Sequence, residues 1–241
     1  MWALLPLKRF SEAKQRLSGV LAPGERRGLF RAMVSDVLTV LQSHQGIKGV
    51  LVVGQDFAAR DLASRFDADF LSESSLAVVG LNEAVYAGIR TLALRGIKQV
   101  MVLHGDLPLI THAEVSELLD THCQEGQSSV VTIAPDKLAL GTNCLICPTD
   151  ADMTFFYGSN SFAAHSKSAF RAGLQLQAIS LPGASRDIDT PEDLQALLRI
   201  AGDDRAVNTM HYLHAAGIAA RLRGSSAAVT QDLDEQYYRV S

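Results

Sequence analysis

Apolar residues along this chain fall into two alternating rhythms. Short runs such as Trp2–Leu7, Gly49–Gly54 and Gln99–His104 are apolar at most positions, the pattern of strands buried on both faces. Between them lie longer stretches whose apolar residues recur three and four apart. Residues 26–42 carry Leu29, Phe30, Met33, Val34, Val37, Leu38 and Leu41, which predicts a helix with one wide apolar face. The same rhythms predict further helices over 57–66, 81–94, 113–123, 161–172 and 191–200. They predict further strands over 69–71, 129–134 and 143–147, with 174–181 extended. Such alternation predicts an α/β fold: a single Rossmann-like three-layer α/β/α domain around a mostly parallel sheet. The domain is expected to span 1–202. Residues 203–241 read as a C-terminal helix and a polar tail, partly disordered or reaching a neighbouring subunit. An apolar face over 207–218 suits a homodimer.

Composition narrows the function classes. The 241 residues are 47% hydrophobic, enough for one well-buried domain. A formal net charge of -4 argues against nucleic acid as a partner, which would want a basic face. Three cysteines are too few for a disulfide framework. Cys144 and Cys147 form a lone C-x-x-C in an apolar run, which reads as buried thiols rather than zinc ligands, since no second Cys/His pair follows at matching spacing. No run approaches the roughly 20 apolar residues of a membrane span. The first residues lack a basic segment and a cleavage site, so a soluble cytoplasmic protein is expected, with no membrane partner. The first strand is not followed by G-x-G-x-x-G, and neither G-x-x-x-x-G-K-[ST] nor G-x-S-x-G occurs. These absences argue against a dinucleotide-binding dehydrogenase, a P-loop protein and an α/β-hydrolase.

The chemistry-bearing residues sit where strands end. Asp187-Ile188-Asp189 precedes Thr190-Pro191-Glu192-Asp193. Residues two apart on an extended segment point the same way, roughly 7 Å apart. Thr190 suits an N-cap, Pro191 the first helical position and Asp193 a capping-box partner. Paired carboxylates there fit a divalent metal with a phosphate ligand, although junction aspartates also simply cap helices. A second carboxylate, Asp106, follows an apolar run in His104-Gly105-Asp106-Leu107-Pro108. Gly105 lets the backbone approach a ligand, and His104 reads either as a ligand or base or as a hydrogen-bonded strand-end residue. Asp106, Asp187 and Asp189 together would suit a hard cation such as Mg²⁺. After the first strand, Lys8, Lys14 and Arg16 suit a polyphosphate, or form a solvated basic loop. Gly80-Leu81-Asn82 opens a helix whose free N–H groups suit an anion or a base edge. Gly141-Thr142-Asn143 and Gly158-Ser159-Asn160-Ser161 are polar, glycine-containing turns that suit a carboxylate or phosphate, or are turn punctuation.

Taken in order, these runs resemble a known family. Pro6-Leu7-Lys8 with Ala13-Lys14-Gln15-Arg16-Leu17, then Gly80-Leu81-Asn82, Gly105-Asp106-Leu107-Pro108, Gly141-Thr142-Asn143, Gly158 with Ser161, and Asp187-Ile188-Asp189-Thr190 are similar to the 2-phospho-L-lactate guanylyltransferases. Those enzymes make the precursor of the deazaflavin coenzyme F-420, and the family includes phosphoenolpyruvate and 3-phosphoglycerate variants. The resemblance covers roughly residues 1–200 and implies a GT-A-like nucleotidyltransferase fold. It implies transfer of GMP from GTP to a small phosphorylated carboxylic acid, with release of pyrophosphate. It further implies Mg²⁺ on Asp106, Asp187 and Asp189. Nucleotide binding falls to Leu7, Lys8, Lys14, Gly80, Asn82 and Asp106, and acid binding to Thr142, Asn143, Gly158 and Ser161. Lys14, Arg16 and Asp106 inherit the catalytic roles. The turn Gly141-Thr142-Asn143-Cys144 is poorer in Gly and Thr than the family's usual one. Competing readings are a molybdopterin or sugar-phosphate nucleotidyltransferase, whose glycine-rich loop Leu7-Lys8-Arg9-Phe10 does not resemble, and a non-catalytic nucleotide-binding regulator.

Overall fold

A computed structural model describes residues 1–76, 80–123, 129–202 and 204–223. The strands are β1 (Trp2–Pro6), β2 (Gly49–Gly54), β3 (Asp69–Ser72), β4 (Gln99–Leu103), β5 (Val130–Pro135), β6 (Thr142–Pro148) and β7 (Gln175–Ala178). The helices are α1 (Pro23–Ser43), α2 (Phe57–Arg65), α3 (Glu73–Leu76), α4 (Leu81–Leu94), α5 (His112–Cys123), α6 (Ser161–Arg171), α7 (Pro191–Ile200) and α8 (Val207–Ala215). Two short 3-10 turns, Phe10–Glu12 and Gln15–Leu17, follow β1. The expected polar tail from 224 onward lies outside the described residues.

The strands form one seven-stranded sheet in the order β3-β2-β1-β4-β6-β5-β7. Every pairing is parallel except those of β6, which runs antiparallel to both β4 and β5. Only residues 136–141 join β5 to β6, too few for the crossover a parallel pair needs. The mostly parallel three-layer sheet is therefore present, with a hairpin set into it. Alternate residues of β1 feed opposite faces. Ala3 and Leu5 join a core with α1, α2, α5 and α7, whereas Leu4 joins a core with α4 and α6. Continuous apolar strands satisfy both layers at once.

Helix α1 begins earlier than its apolar period suggests. Pro23 occupies its first turn, and the Glu25 carboxylate accepts the Ala22 N–H at 2.8 Å, so the start is specified by proline and a back-reaching acid rather than by core residues. Helix α8 packs on α1, and Leu213 is fully buried in the first core. Much of the apolar face that suggested a homodimer is thus covered within the chain. Its N-terminus lacks a local cap, since Ala206 has φ 51° and no capping side chain. Asp36 of α1 replaces it, accepting from Asn208 N and Nδ2 at 2.8 and 2.9 Å and from Thr209 N and Oγ1 at 3.0 and 2.6 Å. A buried carboxylate holding an N-terminus this way is worth more than a neutral cap. Asp36→Ala is expected to cost on the order of 2–3 kcal/mol in urea unfolding and to speed amide exchange in α8. Wild-type values in both would dismiss the cap.

Candidate active site

The sheet places its ligand edge between β1 and β4. The chain passes from β1 outward through β2 and β3, then returns to start β4 on the other side of β1. Such a switch point opens a crevice beyond the carboxyl ends of the strands. A cleft of about 790 Å³ lies there, within the size range of small-molecule sites. Lys8, Lys14 and Arg16 line it, with Asp106, Asp187 and Asp189, Thr142 and Asn143, and Gly158 and Ser161. Residues up to 92 and 175 positions apart in sequence meet there through Lys14.

Lys14 is the centre of that meeting. Its ammonium is bonded to Asp106 Oδ2 at 2.6 Å and to Asp189 Oδ1 at 2.7 Å, with its side chain only 3% exposed. Burial alone would pull its pKa down, but the two carboxylates outweigh burial and hold it above the ordinary lysine value. The lysine charge in turn keeps Asp106 below the usual carboxylate range, against the effect of burial. Lys14 adopts φ 56°, ψ 40°, a left-handed conformation that costs a non-glycine residue about 1–2 kcal/mol. Two charge-assisted hydrogen bonds offset that strain. Arg16 is largely exposed and reaches Asp189 Oδ2 only at 3.9 Å.

The aspartate segments are tied together by backbone as well. The Ile188 N–H donates to the Asp106 carbonyl at 3.2 Å. Thr190 caps α7: its hydroxyl accepts the Asp193 N–H at 3.2 Å, and Asp193 accepts the Thr190 N–H at 2.9 Å. Among the described residues Asp187 makes no direct ion pair, although Lys137 lies near enough to feel its charge. Burial, then the charges of Asp106 and Asp189, raise its pKa, and Asn143 Nδ2 approaches its Oδ1 at 3.4 Å. Among the described residues, no group of three or more His, Cys, Asp and Glu side chains is arranged to hold a metal ion. The carboxylates are hard oxygen donors of the kind a hard cation takes, and the Lys14 ammonium already stands as a cation between Asp106 and Asp189.

The opposite wall begins at a β-bulge. Ala134 pairs with Cys144 and Pro135 with Thr142, which leaves Asn143 as the extra residue. A bulge re-aims side chains. Asn143 turns to the Ala184 carbonyl at 3.0 Å and to Asp187, while Thr142 Oγ1 turns to His165 Nδ1 at 2.9 Å. Gly158 takes φ 137°, and Asn160 sits before α6 at φ 58° without a capping side chain. The α6 N-terminus opens at buried Ser161 beside the cleft, and backbone carbonyls cap it: the Ser161 N–H donates to Gly158 O at 3.3 Å and the Phe162 N–H to Leu140 O at 3.0 Å.

Other expected positions lie elsewhere. Leu7 is buried in the core, and the cleft is lined by Pro6 and Lys8 on either side of it. Gly80 opens α4 at φ 106° and is not among the cleft-lining residues. Asn82 accepts the Tyr157 N–H at 2.6 Å, so its side-chain carbonyl braces the far wall. A Cβ on Gly105 would meet Leu7 and Val34 at 2.8 and 2.9 Å, so close core packing demands that glycine independently of any ligand. The imidazole of His104 is kept neutral by burial and packs edge-on against Tyr157, and among the described residues its Nε2 has no partner, which the hydrogen-bonded reading did not anticipate. Cys144 and Cys147 are buried, and burial pushes both thiols up, Cys147 to about 12. His165 was not visible in the sequence as a site residue. Its only signal is its place on α6, one turn after Ser161.

The architecture falls among nucleotide-handling α/β transferases. A crystal structure from Desulfovibrio desulfuricans G20, assigned to the nucleotide-diphospho-sugar transferases, superposes with a TM-score of 0.70, covering 91% of this chain and 96% of its own. Identity is 17%, so that likeness is one of fold alone. Sequence carries the assignment further. Residues 1–232 match the family described as guanylyl transferase CofC like, and the chain belongs to it; it is a nucleotidyltransferase enzyme. The phosphoenolpyruvate guanylyltransferase of Conexibacter woesei is 40% identical over 205 residues, 85% of this chain and 90% of that protein. The 2-phospho-L-lactate guanylyltransferase of Methanothermobacter thermautotrophicus is 35% identical over 196 residues, 81% and 83% of the two chains.

Burial holds His165 near a pKa of about 4, against 6.5 for the free side chain. With the folded value depressed, the unfolded chain takes up the proton first as pH falls. The stability tied to neutral His165 is complete above about 6.5 and is lost on descent toward 4. The shift corresponds to on the order of 3 kcal/mol. Urea unfolding between pH 7 and 4.5 should show this loss, and His165→Gln should reduce it while leaving the part due to His122, which burial also holds at about 4; an unchanged slope in the variant would assign the loss elsewhere.

Proposed function

We propose that this chain transfers GMP from GTP to a small phosphorylated hydroxy or enol acid, as a cytoplasmic step in coenzyme F-420 biosynthesis. Phosphoenolpyruvate leads the three candidate acids, ahead of 2-phospho-L-lactate and 3-phosphoglycerate, because the Conexibacter woesei relative is named for it. The observation that carries the reading is Lys14, buried at the switch-point cleft between Asp106 and Asp189 and facing a wall of neutral donors.

In this reading a phosphate oxygen of the acid attacks the α-phosphorus of GTP. A new P–O–P bond forms, the bond from the α-phosphorus to the bridging oxygen breaks, and pyrophosphate leaves with the electron pair. The nucleophile is already anionic, so no side chain has to remove a proton. What the reaction requires is charge cancellation and in-line placement of two anions. Lys8, Lys14 and Arg16 lie along the polyphosphate. Thr142, Asn143 and the turn from Gly158 to Ser161 hold the acid. Asp106, Asp187 and Asp189 would hold Mg²⁺, which when bound supplies positive charge to the phosphoryl oxygens. Lys14 then remains the fixed cation that lets these carboxylates converge.

The direct test is pyrophosphate release from four nucleoside triphosphates against the three acids, with and without Mg²⁺. GTP with phosphoenolpyruvate and Mg²⁺ should give the highest rate. Release only with a sugar phosphate or molybdopterin, or nucleotide binding with no release, would replace the proposal. Asp106→Asn should lower turnover by at least about 10²-fold, the scale of a lost electrostatic stabiliser. Near-normal turnover in that variant would remove Asp106 from the reaction.

A further inference from the structure

His165 is fully buried on α6 and is not among the residues lining the cleft, yet it joins two parts of the acceptor wall. The Phe156 backbone N–H donates to His165 Nε2 at 2.8 Å. A backbone N–H cannot accept, so Nε2 is bare. A neutral imidazole carries one proton, which must sit on Nδ1. Burial favours that neutral form. Nδ1–H therefore donates to Thr142 Oγ1 at 2.9 Å. The tautomer is fixed by the main chain, and the direction of the next hydrogen bond follows from it.

That direction decides what Thr142 offers a ligand. A hydroxyl has one proton to give and two lone pairs. With one lone pair taken by His165, the proton of Thr142 is free to turn elsewhere. Among the described residues, no carbonyl or carboxylate accepts it, and Thr142 lines the cleft. The same imidazole clamps Phe156, and Asn82 clamps the next residue through Tyr157 N at 2.6 Å. These two bonds set the approach to Gly158 and Ser161.

We propose that His165 is a positioning residue for the acceptor: it orients Thr142 as a hydrogen-bond donor to an anionic oxygen of the phosphorylated acid while holding the chain that enters the Gly158–Ser161 turn. Neither act touches the nucleotide end of the cleft. The effect belongs to acid binding and leaves GTP binding alone. This inference rests on the reading of Thr142 as part of the acceptor wall, and the experiment separates the two.

Steady-state kinetics of the full chain with GTP, Mg²⁺ and phosphoenolpyruvate, or whichever acid the screen selects, would compare Thr142→Val, His165→Leu, His165→Asn and the Thr142→Val/His165→Leu double variant. Loss of a hydrogen bond to a charged ligand corresponds to at least about tenfold in binding. Thr142→Val and His165→Leu should each raise KM for the acid by about that factor, with KM for GTP within about twofold. The double variant should lose less than the product of the two single losses, because the Thr142 hydrogen bond acts in series behind His165 while the Phe156 bond does not. His165→Asn, which restores an N–H donor near the Nδ1 position, should recover part of the loss and carries the test if the leucine variant does not fold. An unchanged acid KM in Thr142→Val would remove the acceptor reading and this inference with it. A raised KM in Thr142→Val with none in the His165 variants would leave the acceptor reading intact and overturn the positioning role. Additive losses, or a parallel rise in both KM values with a lowered Tm, would reduce His165 to packing.

Discussion

Like charge has to be brought together in this fold, and Lys14 is what permits it. Asp106 and Asp189 arrive from opposite halves of the chain, and each would repel the other in a partly buried site. The lysine ammonium lies within 2.7 Å of both, and its own backbone is forced into the left-handed region to get there. A surface ion pair would not justify that strain. A nearly buried one does, because removing the cation would leave two carboxylates facing each other without compensation. Asp187 shows the remainder of the problem: its carboxyl is pushed toward the neutral form by burial and by its two neighbours. Lys14 compensates Asp106 and Asp189 directly and leaves Asp187 outside the pair.

The scaffold delivers these groups by topology and then adjusts them locally. The β1–β4 switch point brings the basic loop beside Asp106, and the Ile188 N–H on the Asp106 carbonyl fixes the second acidic segment against the first. The α7 capping box sets the exit from Asp189. On the other wall, the antiparallel β6 starts at the same edge where β4 ends, with His104 N donating to the Asn143 carbonyl at 3.3 Å. The bulge there sends Asn143 toward the acids and Thr142 toward α6. One extra residue thus assigns adjacent side chains to two different jobs.

Much of this was legible in the amino-acid pattern, and what was not has a common cause. The strands Gly49–Gly54 and helices Leu81–Leu94 and Pro191–Ile200 end where composition says they should, because apolar period, glycine and cap residues act within a few positions. Thr190, Pro191 and Asp193 form the cap their spacing implies. Asp106 was legible at its strand end and its meeting with Asp189 was expected, but Lys14 lies eight residues beyond β1 and Asp189 eleven beyond β7, so an ammonium between the two carboxylates was not. By contrast, the Asp36 cap on α8 spans 172 and 173 positions, and no local rule links such residues. Pro23 and Glu25 were available as a helix start but are masked by an apolar period that begins only later. Asn82 opens α4 as its local sequence implies, but its bond to Tyr157 N reaches across 75 residues, which no local rule supplies. The bulge is invisible for a related reason, since a register shift is a property of two strands and is written in neither.

The two walls of the cleft differ in kind, and that difference has a functional logic. The side toward β1 carries full positive charges on long side chains, suited to a polyphosphate whose charge is spread over several oxygens. The side toward β6 and α6 relies on neutral donors whose directions are fixed by other hydrogen bonds, as His165 fixes Thr142. Charge attracts without much regard to shape, whereas an oriented hydroxyl or N–H discriminates by geometry. Substrates that share a phosphate and a carboxylate but differ by a few atoms cannot be told apart by net charge. They can be told apart by donors that do not move. The buried imidazole and the strand bulge both serve immobility, which in the proposed reading puts selection of the acid on the rigid wall and neutralisation of the nucleotide on the charged one.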